Sequence, residues 1–197
     1  MNKELSQYIK EAKNIVVFTG AGISTESGIP DFRGPQGVWK TNTPIYFQDF
    51  IGSEEVRRES WKRKFSGKDI IKKAKPNTGH LAVAEIINKH QSAYLITQNV
   101  DNLHQDAGVP EDKITELHGN ASYANCLDCG IRYELRPIKK AFLDHEAVPY
   151  CDSCGGIIKT ATISFGQSMP EEGMQVAQRK TLGCDLFITI GTSLVVY

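Results

Sequence analysis

The amino-acid sequence predicts an α/β protein: a parallel sheet with helices on both faces, and a small second domain attached to it. Three observations carry this prediction. Short β-branched and aromatic runs, Ile15 to Phe18, Ala93 to Thr97 and Leu186 to Ile190, each end in a glycine-rich or polar cluster, as buried strands do. A helical pattern beginning near Asn77 leads straight into the second run, the alternation that builds parallel sheets. Four of the five cysteines stand in two Cys-x2-Cys pairs that fall outside all three runs.

Taken in order, Met1 to Asn14 mixes charged, polar and scattered apolar residues and reads as an amphipathic first helix; it lacks the continuous apolar core of a secretory signal. Ile15 to Phe18 then enters a tight turn at Gly20-Ala21-Gly22. From Pro35 to Lys75 the character changes: Tyr46, Phe47, Phe50, Trp61 and Phe65 are spaced through charged residues, which predicts a helical insertion with its aromatics packed inward. Asn77 or Thr78 caps a largely buried helix carrying Leu81, Val83, Ala84, Ile86 and Ile87. The last run, Leu186 to Ile190, stops at Gly191-Thr192-Ser193. Ligands of such sheets bind outside the carboxyl ends of the strands, where these polar clusters fall.

The charges balance, 23 basic against 23 acidic residues, so no whole-molecule field draws in nucleic acid or an anionic membrane surface. The apolar stretch from Leu186 to Tyr197 is broken by polar residues and is shorter than the roughly 20 residues a bilayer requires. A soluble, cytoplasmic protein is expected, with no direct nucleic-acid or membrane partner.

Cys126-x2-Cys129, a spacer of 21 residues and Cys151-x2-Cys154 form the spacing of a zinc ribbon, in which two knuckles flanking a small hairpin close a tetrahedral thiolate site. Glycines after each pair, Gly130 and Gly155, permit the tight knuckle backbone. Four thiolates fill the shell of one Zn2+, which makes the metal structural and leaves no position for a reacting water. Cys184, alone before an apolar run, reads as a buried structural thiol.

The chemistry-bearing residues lie at strand ends and loops: Gly20-Ala21-Gly22-Ile23-Ser24-Thr25, Gly28-Ile29-Pro30-Asp31-Phe32-Arg33-Gly34, Thr97-Gln98-Asn99-Val100-Asp101, Leu117-His118-Gly119 and Gly191-Thr192-Ser193. Singly each has a plain reading: Asp31 and Arg33 as a surface pair, Gln98 to Asp101 as the polar start of a helix. In this order, with the cysteine pairs directly after Leu117-His118-Gly119, the chain resembles the sirtuins, NAD-dependent protein-lysine deacylases, over nearly its whole length.

The resemblance implies a Rossmann-like domain from residues 1–34, 76–120 and 160–197, with NAD and an acyl-lysine protein or peptide meeting in a cleft against a small domain. That domain combines a helical insertion, residues 35–75, with a zinc-ribbon module, residues 121–159. Family cores continue past the Gly191-Thr192-Ser193 element, so the C-terminal part of the Rossmann domain is expected to be missing. The glycine turn at Gly20, Ala21 and Gly22 is expected to bring backbone N–H groups to the pyrophosphate, with Ser24 and Thr25 as hydroxyl donors. The resemblance places Ala21, Asp31, Phe32 and Arg33 around the reactive half of the cofactor and Gln98, Asn99 and Asp101 along the nicotinamide–ribose pocket, with Gly191, Thr192 and Ser193 completing the site.

His118 is the general base of this resemblance, supported by Asn99 and Asp101; an imidazole accepts a proton near neutral pH. His80, His90, His104 and His145 sit in helical or polar surroundings and read as packing or surface residues, His104 being the other one near the cleft. In the implied mechanism the acyl oxygen attacks the ribose carbon as nicotinamide departs, and His118 assists attack by a ribose hydroxyl. Water then releases lysine and O-acyl-ADP-ribose. Protein mono-ADP-ribosyl transfer from the same site, or a non-catalytic NAD-sensing module, are the alternatives. Ser164, Phe165 and Gly166 are the substrate-binding segment, continuing to Gln167 where the family commonly has Phe-Gly-Glu. Asn102 likewise stands where a glycine is usual.

Overall fold

The computed structural model describes residues 3–31, 34, 37, 43–66 and 70–194. Its central sheet is parallel throughout, in the order β3-β2-β1-β7: β1 is Ile15–Thr19, β2 Tyr94–Thr97, β3 Ile114–Glu116 and β7 Leu186–Ile190. Alternate residues of β1 go to opposite faces, because successive strand side chains point to opposite sides. Ile15 and Val17 join Ile9, Ile23, Val83, Ala84, Ile87, Leu95 and Val109 in one core, beneath α1 (Lys3–Glu11) and α5 (Thr78–Lys89). Val16 packs with Tyr94, Ile96 and Ala177 on the other face, under α8 (Glu171–Leu182). Two covered faces explain why the strands read as unbroken apolar runs.

The strand order places β1 between β2 and β7, so successive connections leave it in opposite directions. Such a switch point opens a crevice at the carboxyl ends of the two strands. There β1 runs into a 3-10 helix, Ala21–Ser27, and β7 into Gly191. Asn77 caps α5 as expected: its Oδ1 accepts from Gly79 N and His80 N, and His80 Nδ1 accepts from Asn77 N in return.

A second, antiparallel sheet, β5-β4-β6, is built from β4 (Gly119–Cys126), β5 (Arg132–Glu134) and β6 (Ile158–Thr162). The helical insertion appears as α2 (Phe47–Gly52), α3 (Glu54–Ser66) and α4 (Ile70–Lys73). Trp61 and Phe65 of α3 point inward as predicted, against Ala124, Cys126, Phe142, Cys151 and Ile158, and Phe50 is buried, but Tyr46, expected inside, is exposed. The spacer between the cysteine pairs is more than the expected hairpin. It carries α7, Leu135–His145, whose Ile138 and Phe142 are buried while Arg136, Lys139 and Lys140 are not, the amphipathic pattern of a helix lying on a sheet. Phe142 of α7 meets Phe65 of α3, their ring centroids 5.8 Å apart, so the two helices close the small core together.

Cys184 is half-buried rather than buried, its Sγ donating to Thr181 O at 3.1 Å. No helix among the described residues is long and apolar enough to cross a membrane.

Candidate active site

At the crevice the two glycine loops meet. Gly20 N donates to Ile190 O at 3.0 Å and Gly22 N to Gly191 O at 2.8 Å. A Cβ on Gly20 would lie 2.8 Å from Gly191 O, and one on Gly22 2.8 Å from Gly191 Cα, so the glycines are required by the closeness of the loops to each other. The Gly20 and Gly22 N–H groups thus tie the turn to the strand and loop of β7. Thr25 Oγ1 likewise donates to Gly22 O, 2.9 Å away.

Ser24 is the hub of the site. It is buried, and its hydroxyl donates to Asp101 Oδ2 at 2.6 Å, inside the crevice and away from solvent. Asn99 Nδ2 donates to Ser24 Oγ at 3.2 Å, and His80 Nε2 lies 3.3 Å from that hydroxyl oxygen. Because His80 Nδ1 accepts from a backbone N–H, its proton must sit on Nε2, so His80 is the second donor to Ser24. Asp101 Oδ1 accepts from Leu103 N at 3.0 Å, which anchors the carboxylate to the start of α6, Leu103–Asp106. The proton and both lone pairs of the Ser24 hydroxyl are thereby used, on Asp101, Asn99 and His80.

Beneath this hub lies a second layer. Thr19 and Thr97, the last residues of β1 and β2, share a 2.8 Å hydrogen bond, and Thr97 Oγ1 also accepts from Asn99 N. His104 Nε2 stands 2.9 Å from Thr19 Oγ1, whose own proton goes to Thr97, so His104 donates there and its Nδ1 is bare and buried. The His80 and His104 rings are 4.9 Å apart. Burial, reinforced by His80, pulls His104 down to about 3, and burial also lowers His80, so both rings are neutral at neutral pH.

His118 approaches from the other side, between β3 and β4. Its Nδ1 is 2.9 Å from the Gln98 carbonyl, which can only accept; Nδ1 carries the proton and the lone pair of the neutral ring is on Nε2. Gln98 Oε1 accepts from Thr192 Oγ1 at 3.1 Å, so one residue joins the histidine loop to the loop after β7. Asn102 adopts φ 67, the left-handed conformation that explains a glycine-like position, and its Oδ1 accepts from Asn120 Nδ2 at 2.9 Å.

The segment expected to bind substrate is tied to the same histidine: Ile163 N donates to His118 O at 2.8 Å. Gln167 folds back on Ser164, its Oε1 accepting from Ser164 N while its N donates to Ser164 O. Phe165 is 43 % exposed, its ring 6.0 Å from Tyr46, and Gly166 has φ 78. Lys159, buried on β6, donates to Thr160 O and Thr162 O just before this segment; burial lowers its amine to about 8.

The four paired cysteines converge as expected. Their Sγ atoms lie within 4.8 Å of one another, with Cys126–Cys154 at 3.5 Å and Cys129–Cys151 at 3.6 Å. Tetrahedral zinc with thiolates at about 2.3 Å holds its sulfurs about 3.8 Å apart, so this donor set fits one zinc ion. Tyr133 Oη donates to Cys151 Sγ at 3.1 Å and pulls that thiol down to about 6, toward the thiolate a metal requires.

A model of the Sir2 family matches residues 20–197. The chain belongs to the Sir2 family. This Sir2-family chain is 51 % identical over 195 residues to NAD-dependent protein deacetylase 1 of Bradyrhizobium diazoefficiens, covering 99 % of itself and 76 % of the relative. It is similar to a solved Sir2 carrying a p53 peptide and NAD+, at 37 % identity and TM-score 0.82, covering 100 % of this chain and 78 % of that one. A structure addressing sirtuin substrate affinity matches at 35 % identity and TM-score 0.86, over 100 % and 79 % of the two chains.

Of the site residues expected from the sequence of this Sir2-family chain, Ser24, Gln98, Asn99, Asp101, His118 and Thr192 come together around one crevice. Gly20, Gly22 and Gly191 form its floor, flanked by Ala21, and Ser193 is exposed beside it. Asp31 is half-buried and its Oδ1 accepts from Gly34 N at 2.9 Å; Phe32 and Arg33 lie outside the described residues. Sequence reasoning missed Tyr133 and the threonine pair, and read His80 and His104 as packing or surface residues. The signal for His80 was its place three residues after the Asn77 cap, where a capping partner belongs. The threonines were the polar last residues of two apolar strands.

Proposed function

We infer that the chain is an NAD-dependent protein-lysine deacylase that consumes NAD and releases nicotinamide, O-acyl-ADP-ribose and free lysine. The observation that carries this reading is the convergence of His118 and the Ser24–Asn99–Asp101 cluster on the switch-point crevice of a parallel sheet, in a Sir2-family chain. The crevice fits a dinucleotide, since its walls are loops at the carboxyl ends of β1, β2 and β7 and Asn99 and Asp101 set a buried carboxamide and carboxylate there. NAD bound there supplies an electrophilic ribose carbon when its nicotinamide leaves.

The chain's own residues do the rest. Asp101 and Asn99, held rigid through Ser24, receive the nicotinamide half, and Gln98 sets the loop after β7 against them. His118, its Nδ1 proton committed to the Gln98 carbonyl, presents Nε2 as the acceptor for a hydroxyl proton. Ser164, Phe165 and Gly166, bonded through Ile163 to His118, take the acyl-lysine backbone by strand pairing. Residues 1–34, 76–120 and 160–197 serve the cofactor, and residues 35–75 and 121–159 form the opposing wall. The zinc ion, held by Cys126, Cys129, Cys151 and Cys154, is structural, and we place the protein in the cytoplasm, where reduced thiols bind metal.

Mass spectrometry of an acetyl-lysine peptide with and without NAD tests the assignment: deacetylation that requires NAD and releases nicotinamide one for one is expected. Transfer of labelled ADP-ribose to protein with the acyl group retained would overturn it in favour of ADP-ribosyl transfer.

A further inference from the structure

One buried guanidinium joins the metal-binding loops to the substrate segment. Arg57, in the first turns of α3, is 8 % exposed, and among the described residues it makes no salt bridge. Its Nη1 donates to Phe50 O at 3.1 Å and Ile51 O at 3.0 Å, carbonyls that the end of α2 leaves without intrahelical partners. Its Nη2 donates to Tyr150 Oη at 3.1 Å, and the cation stands 5.8 Å from the centre of that ring. Tyr150 Oη in turn donates to Glu54 Oε2 at 3.0 Å. A buried cation that meets only carbonyl dipoles and a phenol is expensive to desolvate, and what it supplies in return is a fixed fork geometry.

The two ends of that fork matter. Tyr150 precedes Cys151 directly and bridges to Ile157, so its position is set by the metal-binding knuckle. The opposite end of α2 touches the substrate segment, where Phe47 N donates to Phe165 O at 2.9 Å and the Tyr46 ring packs beside Phe165. A six-residue helix is only about 9 Å long and does not bend over that distance. The order Cys151, Tyr150, Arg57, α2, Phe165 is thus a continuous run of short contacts.

We propose that Arg57 is a positioning residue for the peptide substrate: it fixes α2 against the metal-binding knuckle, and α2 in turn holds the backbone carbonyl of Phe165 where the peptide docks. The proposal rests on Ser164 to Gly166 being the substrate-binding segment. It gives the zinc ribbon a part in substrate affinity without any contact between metal and peptide.

Steady-state kinetics on the zinc-loaded protein, with hydrogen exchange of the peptide-free state, tests this on Arg57→Met, Arg57→Lys and Tyr150→Phe. Loss of a hydrogen bond from a charged group predicts a peptide KM raised about tenfold in Arg57→Met, with Arg57→Lys in between and NAD KM and kcat nearly unchanged. Tyr150→Phe, which removes a single oxygen at a part-exposed ring and leaves the fold intact, is expected to raise peptide KM about threefold. In each variant the zinc content stays at the wild-type level while amides 163–167 exchange faster. Unchanged peptide KM and unchanged exchange in Tyr150→Phe and Arg57→Met overturn the proposal, as does an equal rise in NAD and peptide KM with loss of zinc. Phe165→Ala separates the two layers. If it leaves peptide KM unaltered and added peptide also leaves amides 163–167 unprotected, the substrate reading of the segment fails, while the peptide-free exchange data still report whether Arg57 holds it.

Discussion

Ser24 and Asp101, 77 residues apart, share a 2.6 Å hydrogen bond at the point where β1 and β2 open toward the crevice. The serine accepts from His80 and Asn99 as it donates to Asp101, so removing its oxygen strands two buried donors. Ser24→Ala is expected to lose about 1–3 kcal/mol of stability and to raise NAD KM. Urea unfolding and initial rates check both, and a variant as stable as the wild type would show that water replaces the hydroxyl.

His118 takes its tautomer from the Gln98 carbonyl. His118→Asn, which keeps a donor for that carbonyl but has no basic nitrogen, is expected to fold normally and to lose about 10²–10⁴-fold in deacylation, the usual scale of a general base. Circular dichroism and product formation together decide it; retention of full activity would remove His118 from the mechanism.

The Tyr133 hydroxyl donates to one zinc ligand and accepts from Asp152 N at 3.2 Å. Second-layer contacts of this kind typically hold 10- to 100-fold of metal affinity, so Tyr133→Phe should weaken zinc binding by at least about tenfold in a chelator competition. Full metal removal is expected to loosen the core that Cys126 and Cys151 share with Trp61 and Phe142, visible as a shift in tryptophan fluorescence.

Lys159 predicts a pH dependence of stability. Its folded amine is lowered by burial to about 8, against about 10.4 for a free lysine. Between those values the unfolded chain binds more protons than the folded one, so stability should rise with pH across that window, the penalty of the buried charge being complete below about 8. Denaturation from pH 7 to 10.5 measures the slope, and Lys159→Met should flatten it.

Gly191 combines φ 64 with a Cβ direction that runs into the backbone of Gly22 and Ile23. Gly191→Ala forces the two loops apart at a conformation alanine resists, a cost of roughly 2 kcal/mol or more. Thermal melting and NAD titration should both register the change, whereas Gly130→Ala, with open space around its Cβ but a similar φ of 74, should show only the smaller conformational cost.

Much of this protein was legible without coordinates because its signals are local. Strand composition, the Asn77 cap and the cysteine spacing each depend on residues within a few positions of one another, and periodicity or turn geometry constrains them directly. The sheet, the helical insertion and the metal ligands follow from that. The sequence alone also determined which residues could do chemistry, through the order of its motifs. What it did not contain was the partner of each polar group. That Ser24 faces Asp101, that His80 and His104 meet beneath the crevice, that Gly20 and Gly22 are glycines because of Gly191, and that Arg57 reaches Tyr150 are relations between residues far apart along the chain. They exist only once the parallel strands bring their carboxyl ends together, and a buried hydrogen bond takes its strength from that enclosure. The sequence chose the groups; the tertiary fold, by excluding water around them, decided their protons, tautomers and partners.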